Sequence, residues 1–442
     1  MNSKNILLVF DFDGVIADSV GALFNVYQEF LAQFGEIGTF EEFSGLNGPK
    51  IPEIVALLQK KYRISGLLEE LINCYLQKVS QAYLNLEPVP DAIETIASLK
   101  AANVKMAIAS SSTKDEITKF LARYGIGDAF VRILTGEEVV RSKPAPDIYL
   151  KLKNEFPEFK LIVVEDSLNG IISAKNAGLN VVAYSPGKEM DAAIDWKISS
   201  IRELEKVLSD AEYNCSVCLF EGEIEWREIE HKSILPGQVQ KEIDKIWKKA
   251  IKSDNLFNGN LFCCSRYFFC GPKMVIEYFS SEYKNFYAQI NHPELKLNCY
   301  PLAVSGIVID PCGKTIIGKR QNVTCDQNHL ELIPSGSLQK QLKTGGLDFF
   351  QQICLELEEE VGLSAEEIIS IKPFCMVFDE KNKLCDICCK IELAKELEKC
   401  NLLRESKEYA EIQIVVIDDL LDQDLQATWV ATSLCMLNWL QE

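Results

Sequence analysis

Four short apolar runs, at residues 6–10, 104–109, 161–164 and 180–184, alternate with long segments whose apolar residues fall at helical spacing. Ile93, Ile96 and Leu99 lead into the second run, and Ile171, Ala174 and Ala177 follow the third. Strands that short and that continuously apolar are buried on both faces, which calls for helices above and below a parallel sheet. The N-terminal part is therefore expected to be a doubly wound α/β domain. Residues 18–88 depart from the alternation: they are rich in helix formers without strand-like spacing, and predict a helical insertion after the first strand. An amphipathic segment at 201–208 closes the region and places a domain boundary at 212/213.

From 213 onward the pattern changes to hairpin-like pieces at 262–267, 274–278, 303–309, 315–318, 376–378, 385–392 and 412–417. Turns such as Asp310-Pro311-Cys312-Gly313-Lys314 and Asp379-Glu380-Lys381-Asn382-Lys383 separate several of them, so this half is expected to be a mixed α+β unit. Cysteine usage marks the same division, because only Cys74 of sixteen lies before residue 213. That many thiols behind a start that reads as a folded strand rather than a leader point to a reducing cytosol. Cys215-x-x-Cys218 and Cys385-x-x-Cys388-Cys389 have zinc-like spacing, but Cys385, Ile387 and Cys389 also fit strand alternation, and reduced core thiols are the favoured reading. With 65 acidic against 46 basic residues the formal charge is −19, so neither nucleic acid nor an anionic membrane is an expected partner. A small anionic substrate would have to be drawn in by local cations or a bound metal.

The first run ends in Asp11-Phe12-Asp13-Gly14, which puts two carboxylates at the carboxyl edge of the sheet, where open α/β folds bind ligands. The second ends in the hydroxyl cluster Ser110-Ser111-Ser112-Thr113, the third in Glu165-Asp166-Ser167, and Lys143 stands in a loop stiffened by Pro144 and Pro146. Each piece alone has a plain alternative as a turn, a helix cap or a surface charge. Together, in this order, they suit phosphoryl transfer through an aspartyl phosphate, which needs a nucleophile, a proton carrier, groups that hold phosphate and acids that hold a divalent cation.

Residues 5–209 resemble the haloacid dehalogenase superfamily of phosphohydrolases, with Phe10–Ser19 similar to its first motif, Ala109-Ser110 to its second, Lys143-Pro144 to its third and Val164–Ser167 to its fourth. The resemblance implies Asp11 as nucleophile and Asp13 as general acid/base, with Ser110, Ser111 and Lys143 on the phosphate. It also implies Mg²⁺, or Mn²⁺ in its place, held by Asp11, the Asp13 backbone carbonyl, Glu165 and Asp166. The helical insertion resembles the family's small cap, and Lys50 in Gly45-Leu46-Asn47-Gly48-Pro49-Lys50 is the candidate contact to the leaving group. Sugar-phosphate mutases of this type carry a histidine shortly after the first motif, where this chain has Ala22-Leu23-Phe24, so a phosphatase is favoured over a mutase.

In the second half, Ile353, Leu357 and Val361 form a core stripe on a helix, while Glu356, Glu359 and Glu360 share another face before Gly362. The plain reading is a solvated acidic face with a C-terminal cap. The segment 355–363 is also similar to a Nudix box, except that Leu355 stands where that family has arginine, and the spacing from Gly336 is longer than the family pattern. Residues 301–320 resemble the first Nudix hairpin, and the region around Trp247, 255–259, Tyr283 and Tyr287 resembles the extension of Nudix enzymes acting on nucleoside diphosphate sugars. The resemblance, over about 235–442 with a core at 298–442, implies a mixed sheet in an α/β/α sandwich. It implies Mg²⁺ on Glu356, Glu359 and Glu360, the last two catalytic; Lys319 and Arg320 are candidates for the local cations that the acidic charge calls for, meeting a diphosphate, with ordinary surface charges as the alternative.

The expectation is thus a bifunctional hydrolase. Residues 213–442 would split a nucleoside diphosphate derivative such as an NDP-sugar, and residues 1–212 would dephosphorylate a phosphomonoester. Two alternatives stand beside it: an active phosphatase regulated by a Nudix module that binds nucleotide without cleaving it, and two unrelated activities joined in one chain.

Overall fold

A computed structural model describes residues 5–184, 194–220, 222–230, 237–253, 256–270, 273–295, 297–321, 323, 326–340, 346–403, 405–421 and 429–440. The chain divides into two compact units, Met1–Leu208 and Ser209–Glu442. Among the described residues no helix is long and apolar enough to cross a membrane.

The first unit is built on a parallel sheet of six strands: β1 (Ile6–Phe10), β2 (Lys105–Ser110), β3 (Phe130–Thr135), β4 (Lys160–Glu165), β5 (Asn180–Tyr184) and β6 (Trp196–Ile198). Their order is β3-β2-β1-β4-β5-β6. β1 is buried at every position, as its unbroken apolar run requires. The strands β2 and β4 lie on opposite sides of β1, so the strand order reverses at β1 and opens a crevice at its carboxyl end. Phe10 is level with Ile108 on one side and Val164 on the other, which sets the next residue, Asp11, beside the ends of both neighbours. Between β1 and β2 come four helices, α1 (Val20–Ala32), α2 (Phe40–Gly45), α3 (Ile51–Tyr62) and α4 (Leu68–Tyr83), and then α5 (Ala92–Ala101). The helices α6 (Lys114–Arg123), α7 (Asp147–Glu155) and α8 (Leu168–Asn176) connect the later strands. β3 and β6 escaped the sequence reading. In β3, Arg132 interrupts the apolar run and only Leu134 and Thr135 are buried, the profile of a sheet edge.

The second unit carries a five-stranded mixed sheet ordered β14-β11-β16-β15-β7, from β7 (Cys215–Leu219), β11 (Leu302–Ile309), β14 (Ser335–Ser337), β15 (Ile368–Asp379) and β16 (Leu384–Leu393). The pair β11 and β16 is parallel, whereas β15 and β16 are antiparallel. Two three-stranded sheets complete it. One joins β8 (Ile224–Glu228), β9 (Asn260–Cys270) and β10 (Lys273–Glu282), and the other joins β12 (Lys314–Arg320), β13 (Leu330–Leu332) and β17 (Tyr409–Val416). After α9 (Leu204–Glu212), α10 (Gly237–Ser253) and α11 (Tyr283–Asn291), the helix α12 (Phe349–Val361) buries Ile353, Leu357 and Val361, the stripe its spacing predicts. All fifteen described cysteines are free, and Cys215, Cys218, Cys385, Cys388 and Cys389 are buried in strands β7 and β16. Among the described residues no cysteine group has metal-ligand geometry.

Candidate functional site

The crevice at the end of β1 gathers side chains from the ends of β1, β2 and β4 and from the loop that carries Lys143. Lys143 Nζ donates to Asp11 Oδ1 at 2.9 Å, to Glu165 Oε1 at 2.5 Å and to the Ala109 carbonyl at 3.1 Å, all buried. Tyr149 donates to the same Glu165 oxygen at 2.5 Å. Gly14 turns the chain away from β1 with φ of 78°, and a Cβ there would stand 2.3 Å from Asp166 Oδ2. Only glycine satisfies both the left-handed backbone and the close carboxylate.

Asp11, Glu165 and Asp166 each bring a carboxylate oxygen to within 4.8 Å of the others, and all three are buried. Burial pushes the Asp11 carboxyl well above its usual range; Lys143 opposes this, and the neighbouring Glu165, Asp13 and Asp166 add to it. Burial also works against the Lys143 charge, but the carboxylates of Asp11 and Glu165 outweigh it and hold the ammonium firmly charged. One lysine thus faces three carboxylates. A divalent cation fits the remaining negative charge, and an all-oxygen donor set suits Mg²⁺.

Asp13 is held separately. Its Oδ2 accepts from Ser112 Oγ at 2.5 Å and its Oδ1 from Tyr83, the last residue of α4; Tyr83 and Ser112 lie 2.9 Å apart. Ser110 Oγ accepts from the Ser112 amide at 3.0 Å. A cavity of about 830 Å³, mouth included, joins these groups to an apolar wall of Leu23, Phe43, Ile54 and Val79 from the inserted helices. The insertion is seated on the sheet edge by Ser111 Oγ to the Gly48 carbonyl and Asn169 Nδ2 to the Asn47 carbonyl, each 2.5 Å. Two expected phosphate or leaving-group contacts are changed by this seating. Ser111 lines the cavity but gives its hydroxyl proton to Gly48. Lys50 does not reach the leaving-group space: its Nζ donates to the Val139 carbonyl at 2.8 Å, which satisfies a backbone acceptor instead.

Residues 8–184 match the family model of haloacid dehalogenase-like hydrolases. The N-terminal unit is haloacid dehalogenase-like. A "Phosphorylated carbohydrates phosphatase" of Thermotoga maritima is 28% identical over 176 residues, covering 39% of this chain and 81% of that protein. Protein CbbY of Rhodobacter capsulatus is 32% identical over 148 residues, 31% of this chain and 64% of its own length. The crystal structure of CbbY from Rhodobacter sphaeroides with phosphate aligns at 23% identity and a TM-score of 0.39, over 45% of this chain and 95% of that one.

Beyond the haloacid dehalogenase-like unit, the acidic residues of helix α12 are arranged differently from the Asp11 group. Among the described residues the acidic group gathered for a metal is Asp11, Glu165 and Asp166, and Glu356, Glu359 and Glu360 are not brought together in that way. Glu359 is exposed, while Glu360 is buried, accepts from the Ser335 amide at 3.3 Å and lies 3.3 Å from the Tyr409 hydroxyl. Burial, reinforced by Glu331, Glu356 and Glu408, pushes Glu360 up to about 10, and burial pushes Glu356 up to about 7. Glu356 lies against Gly336, where a Cβ would stand 1.9 Å from its Oε1. Arg320 pairs with buried Glu331 at 2.5 Å through one terminal nitrogen while its buried Nε has no hydrogen-bond partner among the described residues, and Tyr409 donates to the other Glu331 oxygen at 2.8 Å. Lys319 is exposed one residue away.

Sequence reasoning missed Tyr83, Tyr149, Glu331 and Tyr409. Tyr83 shares helical spacing with Tyr75 and Val79, and such a stripe reads as core. Ser112 was visible in the hydroxyl cluster but not singled out.

Proposed function

We propose that the N-terminal unit is a phosphomonoesterase for phosphorylated sugars that works through an aspartyl phosphate. The observation that carries this reading is the placement of Asp11, bound to Lys143 at the reversal point of the sheet, with Asp13 held apart on the same cavity. An Asp11 oxygen attacks phosphorus as the ester P–O bond breaks, and Asp13 gives its proton to the departing oxygen. Water then attacks the phosphorus of the acyl phosphate, Asp13 takes back a proton, and inorganic phosphate leaves with Asp11 restored. Lys143 holds Asp11 in place and offers charge to the transferring phosphoryl oxygens, and Ser110 lies at the same edge for them. Asp11, Glu165, Asp166 and the Asp13 backbone would hold Mg²⁺, which supplies charge neutralisation between nucleophile and phosphate. The inserted helices serve as a cap, and their apolar wall suits the carbon face of a sugar. The name of the Thermotoga maritima relative supports this substrate class.

The test is phosphate release from a panel of alkyl phosphomonoesters, including hexose, hexitol and glycerol phosphates, with Mg²⁺ and with chelator. Release that needs Mg²⁺ and is lost in Asp11→Asn is expected; a silent panel overturns the reading.

For the second unit, a Nudix-like diphosphatase acting on an NDP-sugar would supply a monophosphate to the first. Support for the likeness is that α12 follows strand β14 in the chain and sets Glu356 against its Gly336. One observation favours the reading without cleavage: Glu359 is exposed while Glu360 is turned inward against the Ser335 amide and the Tyr409 hydroxyl, so the two expected catalytic acids do not face one common site. This unit then acts as a binding module. UDP-, GDP- and ADP-sugars should come through incubation with Mg²⁺ unchanged; nucleoside monophosphate among the products would restore the diphosphatase.

A further inference from the structure

Helix α4 reaches the site because its buried residues Leu71, Tyr75, Val79 and Tyr83 recur every fourth position and run down one face to its final turn. There the Tyr83 ring stacks on Phe12, the residue between the two site aspartates, at 6.2 Å and 19°. The ring is 6% exposed, so packing fixes it and its hydroxyl has little freedom. That hydroxyl bonds Asp13 Oδ1 and lies 2.9 Å from Ser112 Oγ, which in turn bonds Asp13 Oδ2 at 2.5 Å. Both oxygens of one carboxylate are thereby held, one from the inserted helices and one from the end of β2. A carboxyl that must hand a proton to a departing oxygen needs a fixed plane, and a shift of about 1 Å in such a group can cost about a hundredfold.

We infer that Tyr83 is a positioning residue for proton delivery: its hydroxyl, together with Ser112, fixes the Asp13 carboxyl toward the leaving-group oxygen in the cavity. The inference rests on the phosphatase reading above. In the step concerned, the ester P–O bond breaks, its electron pair stays on the leaving oxygen, and the proton of Asp13 moves to that oxygen. Tyr83 keeps its own proton throughout.

The consequence is a selective defect. An alkyl leaving group needs that proton, whereas 4-nitrophenolate departs without it. The quantity kcat/KM reports events only up to the first irreversible departure, so the later hydrolysis of the acyl phosphate does not enter. In Tyr83→Phe the ring and its stacking on Phe12 remain. We expect kcat/KM to fall about tenfold or more for alkyl phosphomonoesters, glucose 6-phosphate and glycerol 3-phosphate among them, and to stay within about twofold for 4-nitrophenyl phosphate. Because both esters are assayed on one preparation, loss of folded protein cancels from their ratio. An equal loss on both esters, or no loss on either, overturns the positioning role while leaving the phosphatase standing. A wild-type protein that hydrolyses none of these esters overturns the phosphatase reading and the inference with it.

Discussion

The ammonium of Lys143 stands 2.9 Å from Asp11 Oδ1 and 2.5 Å from Glu165 Oε1, with all three side chains buried. Two residues 132 positions apart in sequence are thus locked together at the point where the sheet reverses its strand order. Removing the cation would leave carboxylates facing each other without water, and breaking a buried pair from one side costs about 3–5 kcal/mol. Lys143→Ala is therefore expected to lower the unfolding midpoint of the N-terminal unit in urea, and Mg²⁺ is expected to narrow the gap. An unchanged midpoint would show that the cluster carries no such charge burden.

Gly14→Ala should disable the site while the sheet stays folded. The new Cβ would meet Asp166 Oδ2 at 2.3 Å on a backbone with φ of 78°. Displacing that carboxylate by about 1 Å is expected to cost about a hundredfold in kcat/KM and to raise the Mg²⁺ concentration needed for half activity. Steady-state assays across a Mg²⁺ series check both effects, and wild-type kinetics would contradict the placement of Asp166.

Much of this site was legible in the sequence. The unbroken apolar run before Asp11 marks a buried strand that ends at Phe10, and Asp11 and Asp13, which follow it directly, both line the cavity at its carboxyl end. Lys50 could not: its partners are backbone carbonyls at Val139 and Val140, which leave no mark in the residue pattern. Helical spacing put Glu356, Glu359 and Glu360 on one face, but what turns Glu360 inward is Tyr409 and the Ser335 amide, both remote in sequence. Arg320 likewise looked like an open cation because its partner Glu331 sits on a strand too short to recognise.

Glu360→Gln is expected to leave stability at pH 7 within about 1 kcal/mol, because a carboxyl pushed up to about 10 is already neutral there. Thermal unfolding of the variant and the NDP-sugar panel check the point together. If the substitution abolished a Mg²⁺-dependent cleavage present in the wild type, the non-cleaving reading of the second unit would fail.

A pH effect is expected from Asp386, buried in the second unit with Ser305 and Thr432 each donating to it at 3.0 Å. Burial pushes its carboxyl up to about 6, against about 3.9 in an unfolded chain. Between those values the folded protein binds more protons than the unfolded one, so stability falls as pH rises through that window and is flat above it, a loss on the order of 3 kcal/mol. Asp386→Asn should flatten this slope and raise the unfolding midpoint more at pH 8 than at pH 4. Parallel pH dependence in both proteins would contradict the assignment.

The central claim is that phosphate passes through Asp11. Acid quenching during turnover of a hexose phosphate, followed by mass spectrometry of the peptide containing residues 5–18, tests it most directly. Phosphate on Asp11 in the wild type, and neither phosphopeptide nor turnover in Asp11→Asn, is the expected result. Continued turnover by Asp11→Asn, with no phosphorylated aspartate in either protein, would contradict it.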